Sequence, residues 1–121
     1  MDLSTTYEAI RISSGNSFVH ETESQVILNG SRDINFTMDL VLKDISLFQS
    51  IAERAGVPLE VSPLLIDIFK DGEQRYGSRE WSSNIIRRLE DACETQILAS
   101  GFPEQMTDDE PEVSGEEVVV Q

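Results

Sequence analysis

The chain has 121 residues, of which 39% are hydrophobic and 26% charged, with a formal net charge of -14. That length supports one core and not two full domains, no apolar run approaches the ~18 residues of a membrane span, and the start "MDLSTTYEAI" lacks the basic-then-apolar pattern of a signal peptide. Acid in excess without a basic stripe argues against nucleic acid as a partner, and the single cysteine, Cys93, permits no internal disulfide, which fits a cytoplasmic chain.

Helical spacing recurs through residues 1–103 with no run of strand alternation beyond a few residues, so the expected fold class is all-α. The first helix is predicted from about Leu3 to Ser13, with Asp2 or Ser4 as N-cap, Leu3, Tyr7 and Ile10 on one face, and "SSGNS" as its stop. A weaker second helix runs from about Phe18 to Leu28 and ends at Asn29 and Gly30, which tolerate a left-handed backbone. The third, "FTMDLVLKDISLFQSIAERAG" from Phe36 to Gly56, places Val41, Ile45, Phe48, Ala52 and Ala55 on a core face.

Ser62 is the expected cap of a fourth helix with Pro63 in its first turn. Leu65, Ile68, Phe69, Gly72 and Tyr76 form its inner face, where Gly72 implies close helix approach, and Gly77 ends it. A last helix starts near Ser82 or Ser83, with Trp81 as an anchor, and buries Ile85, Ile86, Leu89, Cys93 and Ile97 before "SGFP". Residues 104–121 carry seven acidic residues and no basic ones, together with Pro, Gly and Ser, and are expected to be a disordered acidic tail. The expected organisation is therefore a helical domain over 1–103 and a tail over 104–121.

No dinucleotide fingerprint, P-loop, zinc spacing or nucleophile elbow occurs, so no metal site and no catalytic residue is assigned. His20, among Glu21 and Glu23, is taken as an exposed polar residue, and Cys93, on an apolar stripe, as a packed thiol. Lys43 is more informative. At about 100° per residue it lies roughly 190° from the centre of the third helix's core face, on a second stripe with Leu40, Leu47 and, two turns back, Phe36. Such a stripe suits a cleft or domain contact, and a solvated lysine with snorkelling methylenes is the alternative. The turn "ISSGNSF" could offer hydroxyl and N–H groups to an anion, although helix capping is the more ordinary use of such residues.

The ordered set "AIRISSGNS", Phe36 with "LVLKDISLFQSIAERAGVPLEVSP", "YGSREWSS" and "NIIRRLEDA" resembles the C-terminal domain of the β-hydroxyacid dehydrogenases, the 3-hydroxyisobutyrate and 6-phosphogluconate dehydrogenase-like family, over about Leu3 to Ala99. The resemblance implies an NAD(P)-dependent oxidoreductase acting on a small hydroxy acid, with a Rossmann domain binding NAD or NADP and a helical domain closing the cleft and supporting a homo-oligomer. It further implies that Ser13, Ser14 and Gly15 line the substrate side and that Phe36, Lys43 and Asp44 face the cofactor.

The family's catalytic lysine, its companion asparagine and its glycine-rich fingerprint have no counterpart among these residues. The expectation is thus a detached, truncated or split C-terminal domain, inactive alone and complemented by a Rossmann fragment. The alternative is a helical dimerisation or interaction module derived from the same family.

Overall fold

The computed structural model describes residues 1–107 and Gly115, and its fold class is all-α, as expected. Among the described residues the order is α1 (Leu3–Arg11), α2 (Phe18–Asn29), α3 (Met38–Arg54), α4 (Ser62–Tyr76), a 3-10 turn (Ser82–Ile86) and α5 (Arg87–Cys93). The tail expected over 104–121 lies outside the described residues from 108 onward, Gly115 excepted.

Local chemistry sets most boundaries. Asp2 accepts the Thr5 N–H at 2.7 Å and starts α1; Ser17 accepts the His20 N–H at 3.0 Å and starts α2; Gly30, at φ 94°, ends α2. α1 stops at Arg11, short of the expected Ser13, because the Ser13 hydroxyl donates to the Ile10 carbonyl and closes a turn.

α3 begins at Met38 and not at Phe36, because Asn35 takes a left-handed φ of 54° and residues 36–37 then lie extended against 78–82. There Ser82 N–H donates to the Phe36 carbonyl, and the Met38 and Asp39 N–H groups donate to the Glu80 and Ser78 carbonyls. Backbone carbonyls thus satisfy the orphan donors that a capping side chain would otherwise take. Ser62 is likewise not a cap: it is the first residue of α4, and its hydroxyl is buried without a partner.

α3 and α4 share the most extensive helix contact. Tyr7, Val26, Leu28, Ile34, Met38 and Ala52 form the buried apolar core. Gly72 sits on that seam as expected: a Cβ there would lie 2.5 Å from Ile85 Cδ1 and 3.3 Å from Met38 Sδ. Phe48 and Ala55, expected inside, are exposed, because α3 carries apolar side chains on two sides and α4 covers only one.

The last helix differs most. It is a 3-10 turn followed by a seven-residue α5, and Cys93 and Leu89 are exposed. The cause is Glu90, whose carboxylate accepts the Ile97 N–H at 2.7 Å and draws the chain into a reversal at Glu94, φ 50°. Residues beyond it return along α2: Ala99 N–H donates to the Leu28 carbonyl, Asn29 Nδ2 to the Phe102 carbonyl, and Ser31 Oγ to the Glu104 carbonyl.

Candidate functional site

The turn holding Ser13, Ser14 and Gly15 joins α1 to α2. The Ser13 hydroxyl is committed, donating to Ile10 O at 2.8 Å and accepting the Gly15 N–H at 3.1 Å. Capping of α2 falls to Ser17, while Glu21 in the first turn of α2 is held by Asn16 Nδ2 at 2.6 Å. The turn therefore already places a carboxylate beside that helix start. Ser14 alone of the three keeps an exposed hydroxyl without a described hydrogen bond.

Lys43 and Asp44 lie on the exposed side of α3, their charged groups 3.0 Å apart and their side chains 64% and 54% exposed. An ion pair this exposed is worth about 0–1 kcal/mol, so Lys43 can exchange Asp44 for an anionic ligand at little cost. Phe36 is just exposed and fixed by its carbonyl's bond to Ser82, but it precedes α3, so helical periodicity does not set its position relative to Lys43.

Among the described cavities none brings the six candidate residues together. Ser13 borders a pocket of about 410 Å³ against α1, and Asp44 borders an apolar groove of about 640 Å³ with Phe48, Pro58, Val61 and Leu65. Neither pocket includes Phe36 or Lys43.

Two charge clusters tie α3 and α4 to the segments that follow them. Asp39, at the start of α3, accepts from the Thr37 hydroxyl, from Arg79 Nη1 at 3.0 Å and from Leu40 N–H. The Thr37 hydroxyl first, and then the Arg79 guanidinium, hold its carboxyl below the usual aspartate range. Asp71 on α4 pairs with Arg88 at 2.5 Å and Arg75 at 2.9 Å, and these, Arg88 foremost, hold its carboxyl low as well. Tyr76 adds a bond to Asp91 at 2.6 Å beneath the Arg87 guanidinium, 4.3 Å from its ring centroid.

A family model described as the NAD-binding domain of NADP-dependent 3-hydroxyisobutyrate dehydrogenase matches residues 1–89. The chain belongs to this family. No curated protein sequence matches it.

Membership connects the domain to NAD(P)-linked oxidoreductases at the level of the family, and all six candidate residues fall inside the matched range. Among the described residues, no group of three or more His, Cys, Asp or Glu side chains could hold a metal ion, and no helix is long and apolar enough to cross a membrane.

Several structural residues of this dehydrogenase-family domain escaped sequence reasoning. Arg32, Asp39, Ser83 and Glu90 are joined to partners 40 to 58 positions away, and no local spacing announces such pairs. His20 is half-buried instead of exposed: Nε2 lies 3.0 Å from the Tyr7 carbonyl, Nδ1 lies 3.2 Å from Ser24 Oγ, and the ring stacks on Tyr7. The i, i+4 spacing of His20 and Ser24 was the one available signal.

Proposed function

We propose that this chain is the helical C-terminal part of an NAD(P)-dependent β-hydroxyacid dehydrogenase, the part that closes the substrate cleft over a dinucleotide held by a separate Rossmann unit. The observation that carries this reading is Lys43: a cation on the outward side of α3, paired among the described residues with its neighbour Asp44, inside a family-matched domain. Its charge suits the phosphate or carboxylate groups of an anionic ligand, and the exposed ring of Phe36 suits a flat, partly apolar cofactor surface.

In this reading the hydroxyl and N–H of Ser14 hold the carboxylate of a small hydroxy acid when the cleft closes, the Ser13 and Gly15 N–H groups being engaged within the turn. The dinucleotide supplies the hydride chemistry, and this chain's residues bind and orient without moving the proton. A cytoplasmic location accompanies the proposal, supported by the single cysteine.

The test is an amide NMR titration of the chain with NADPH and NADH, paired with a turnover assay on 3-hydroxyisobutyrate. Shifts confined to Phe36, Lys43 and Asp44, lost in Lys43→Ala, are expected, with no turnover by the chain alone. Robust turnover by the pure chain, or shifts elsewhere, would overturn the assignment. The second reading, a non-catalytic interaction module, is favoured by the apolar surface on the distal half of α3.

A further inference from the structure

A cavity of about 430 Å³ is lined by Asn29 and Arg32, from the end of α2 and the loop after it, and by Asn84, Arg87, Glu90 and Gln96, from the 3-10 turn, α5 and the segment beyond. Its size falls in the range of small-molecule sites. None of Ser13, Ser14, Gly15, Phe36, Lys43 or Asp44 borders it, so nothing inferred from it rests on the dinucleotide reading.

The wall holds two guanidiniums and one carboxylate, in a chain whose net charge is -14. Glu90 is engaged in structure: its Oε1 accepts from Arg32 Nη2 at 2.8 Å and from the Ile97 N–H at 2.7 Å. That leaves Arg32 Nη1 buried with no acceptor among the described residues, on a side chain only 10% exposed. A buried charged donor without an acceptor is destabilising, and an oxygen reaching it from the cavity removes the cost. Arg87 is the second cation. It sits over the Tyr76 ring at 4.3 Å and has no ion pair among the described residues; a cation–π contact consumes none of its N–H donors.

We propose that this cavity binds the carboxylate of a small organic acid, held by Arg32 Nη1 and the Arg87 guanidinium. Asn84 Oδ1 and the Gln96 carboxamide, which make no hydrogen bond among the described residues, recognise a polar group on the rest of the molecule. Charge selects the ligand class. With Glu90 counted, the wall carries one net positive charge, which a single carboxylate neutralises, whereas a phosphate dianion adds an uncompensated negative charge to an acidic molecule.

The test is a nuclear magnetic resonance titration of the full chain with N-acetylglycinate, which carries one carboxylate and one amide, reading the arginine Nε–Hε and the Asn and Gln side-chain signals. Saturable shifts at Arg32, Arg87, Asn84 and Gln96 are expected. The neutral N-acetylglycinamide should give none, and inorganic phosphate should bind at least about threefold more weakly.

Three variants at half-exposed or exposed positions, checked for folding by circular dichroism, add the signs. Arg87→Gln should weaken binding by about tenfold, through loss of a charge-assisted hydrogen bond. Gln96→Glu should weaken it and Gln96→Lys should tighten it, each by about threefold, and this pair decides the matter even if Arg87→Gln fails to fold. Absence of a saturable shift at Arg32 and Arg87, the result if water or the chain's own acidic residues satisfy them, would overturn the proposal. So would equal shifts at Lys43, an equal response to the neutral amide, phosphate binding as tight as the carboxylate, or indifference to both Gln96 substitutions.

Discussion

Arg32 and Glu90 meet at 2.8 Å across 58 positions of sequence, each with a side chain only 10% exposed. Arg32 sits at a left-handed φ of 59° with its carbonyl accepting from Ser83 Oγ, and Glu90 also takes the Ile97 N–H. The pair therefore fixes the α2–α3 connection to α5 and to the returning C-terminal segment. Replacing Glu90 by Ala strands a buried guanidinium and should cost ~3–5 kcal/mol, whereas Arg32→Met with Glu90→Leu should recover most of that loss. Urea denaturation of the two single variants and the double variant decides it; single losses below ~1 kcal/mol would mean that water screens the pair.

Gly72→Ala sets two effects against each other. The methyl group collides with Ile85 Cδ1 and crowds Met38 Sδ, a strain of about 1–3 kcal/mol, while helix propensity returns about 1 kcal/mol. A net loss is expected in the native background. Removing Cδ1 with Ile85→Val should reverse the sign, so that Gly72→Ala then raises the midpoint of thermal unfolding; no reversal would place the strain elsewhere.

Acid sensitivity should trace to Asp39 and Asp71. Both carboxyls are held below the ordinary aspartate value of 3.8 in the folded chain, by Thr37 and Arg79 for the first and by Arg88 and Arg75 for the second. Their contribution is present above 3.8 and is lost as pH falls through the lower folded values. Glu23 has the opposite sign, since burial raises it above 4.5: its share is full below 4.5 and is lost as pH rises through the higher folded value. Thermal unfolding between pH 2 and pH 7 should show a shallower acid limb for Asp39→Asn and Asp71→Asn, and a gain near neutrality for Glu23→Gln.

Lys43→Ala should change the unfolding free energy by no more than about 0.5 kcal/mol, because an exposed pair is lost. Dinucleotide binding should fall. Asp44→Asn should do the reverse and tighten binding by freeing the ammonium, which calorimetry with NADPH can read. Weaker binding in both variants would mean that the pair acts as a unit.

Helix existence was legible wherever the chain carried its own signals: Asp2 and Gly30 act locally, and their roles follow from residue type. Failures came where the deciding partner was distant. Phe48 and Cys93 lie on apolar stripes, but a stripe does not say which neighbour covers it, and here α4 takes only one side of α3 while Glu90 shortens α5. Phe36 looked helical because Asn35's left-handed turn and the pairing with Ser82 are tertiary choices. In the candidate site, the residue types and the outward direction of Lys43 could be read in advance. Capture of the Ser13 hydroxyl by its own turn could not, because capping and ligand binding draw on the same residues.

The segment that returns along α2 makes its bonds over 73 and 82 positions, and Phe102 packs edge-on against Tyr7 in the first helix. Synthesis runs from Tyr7 toward Phe102, so α1 and α2 emerge from the ribosome long before the strip that seals their outer side. Until that strip arrives, the Tyr7 ring lacks one of its neighbours and the Leu28 carbonyl its partner. Closure of this side of α1 and α2 therefore waits on the segment around Phe102, and a pause in translation after α5 would leave Tyr7 and the Leu28 carbonyl without those partners.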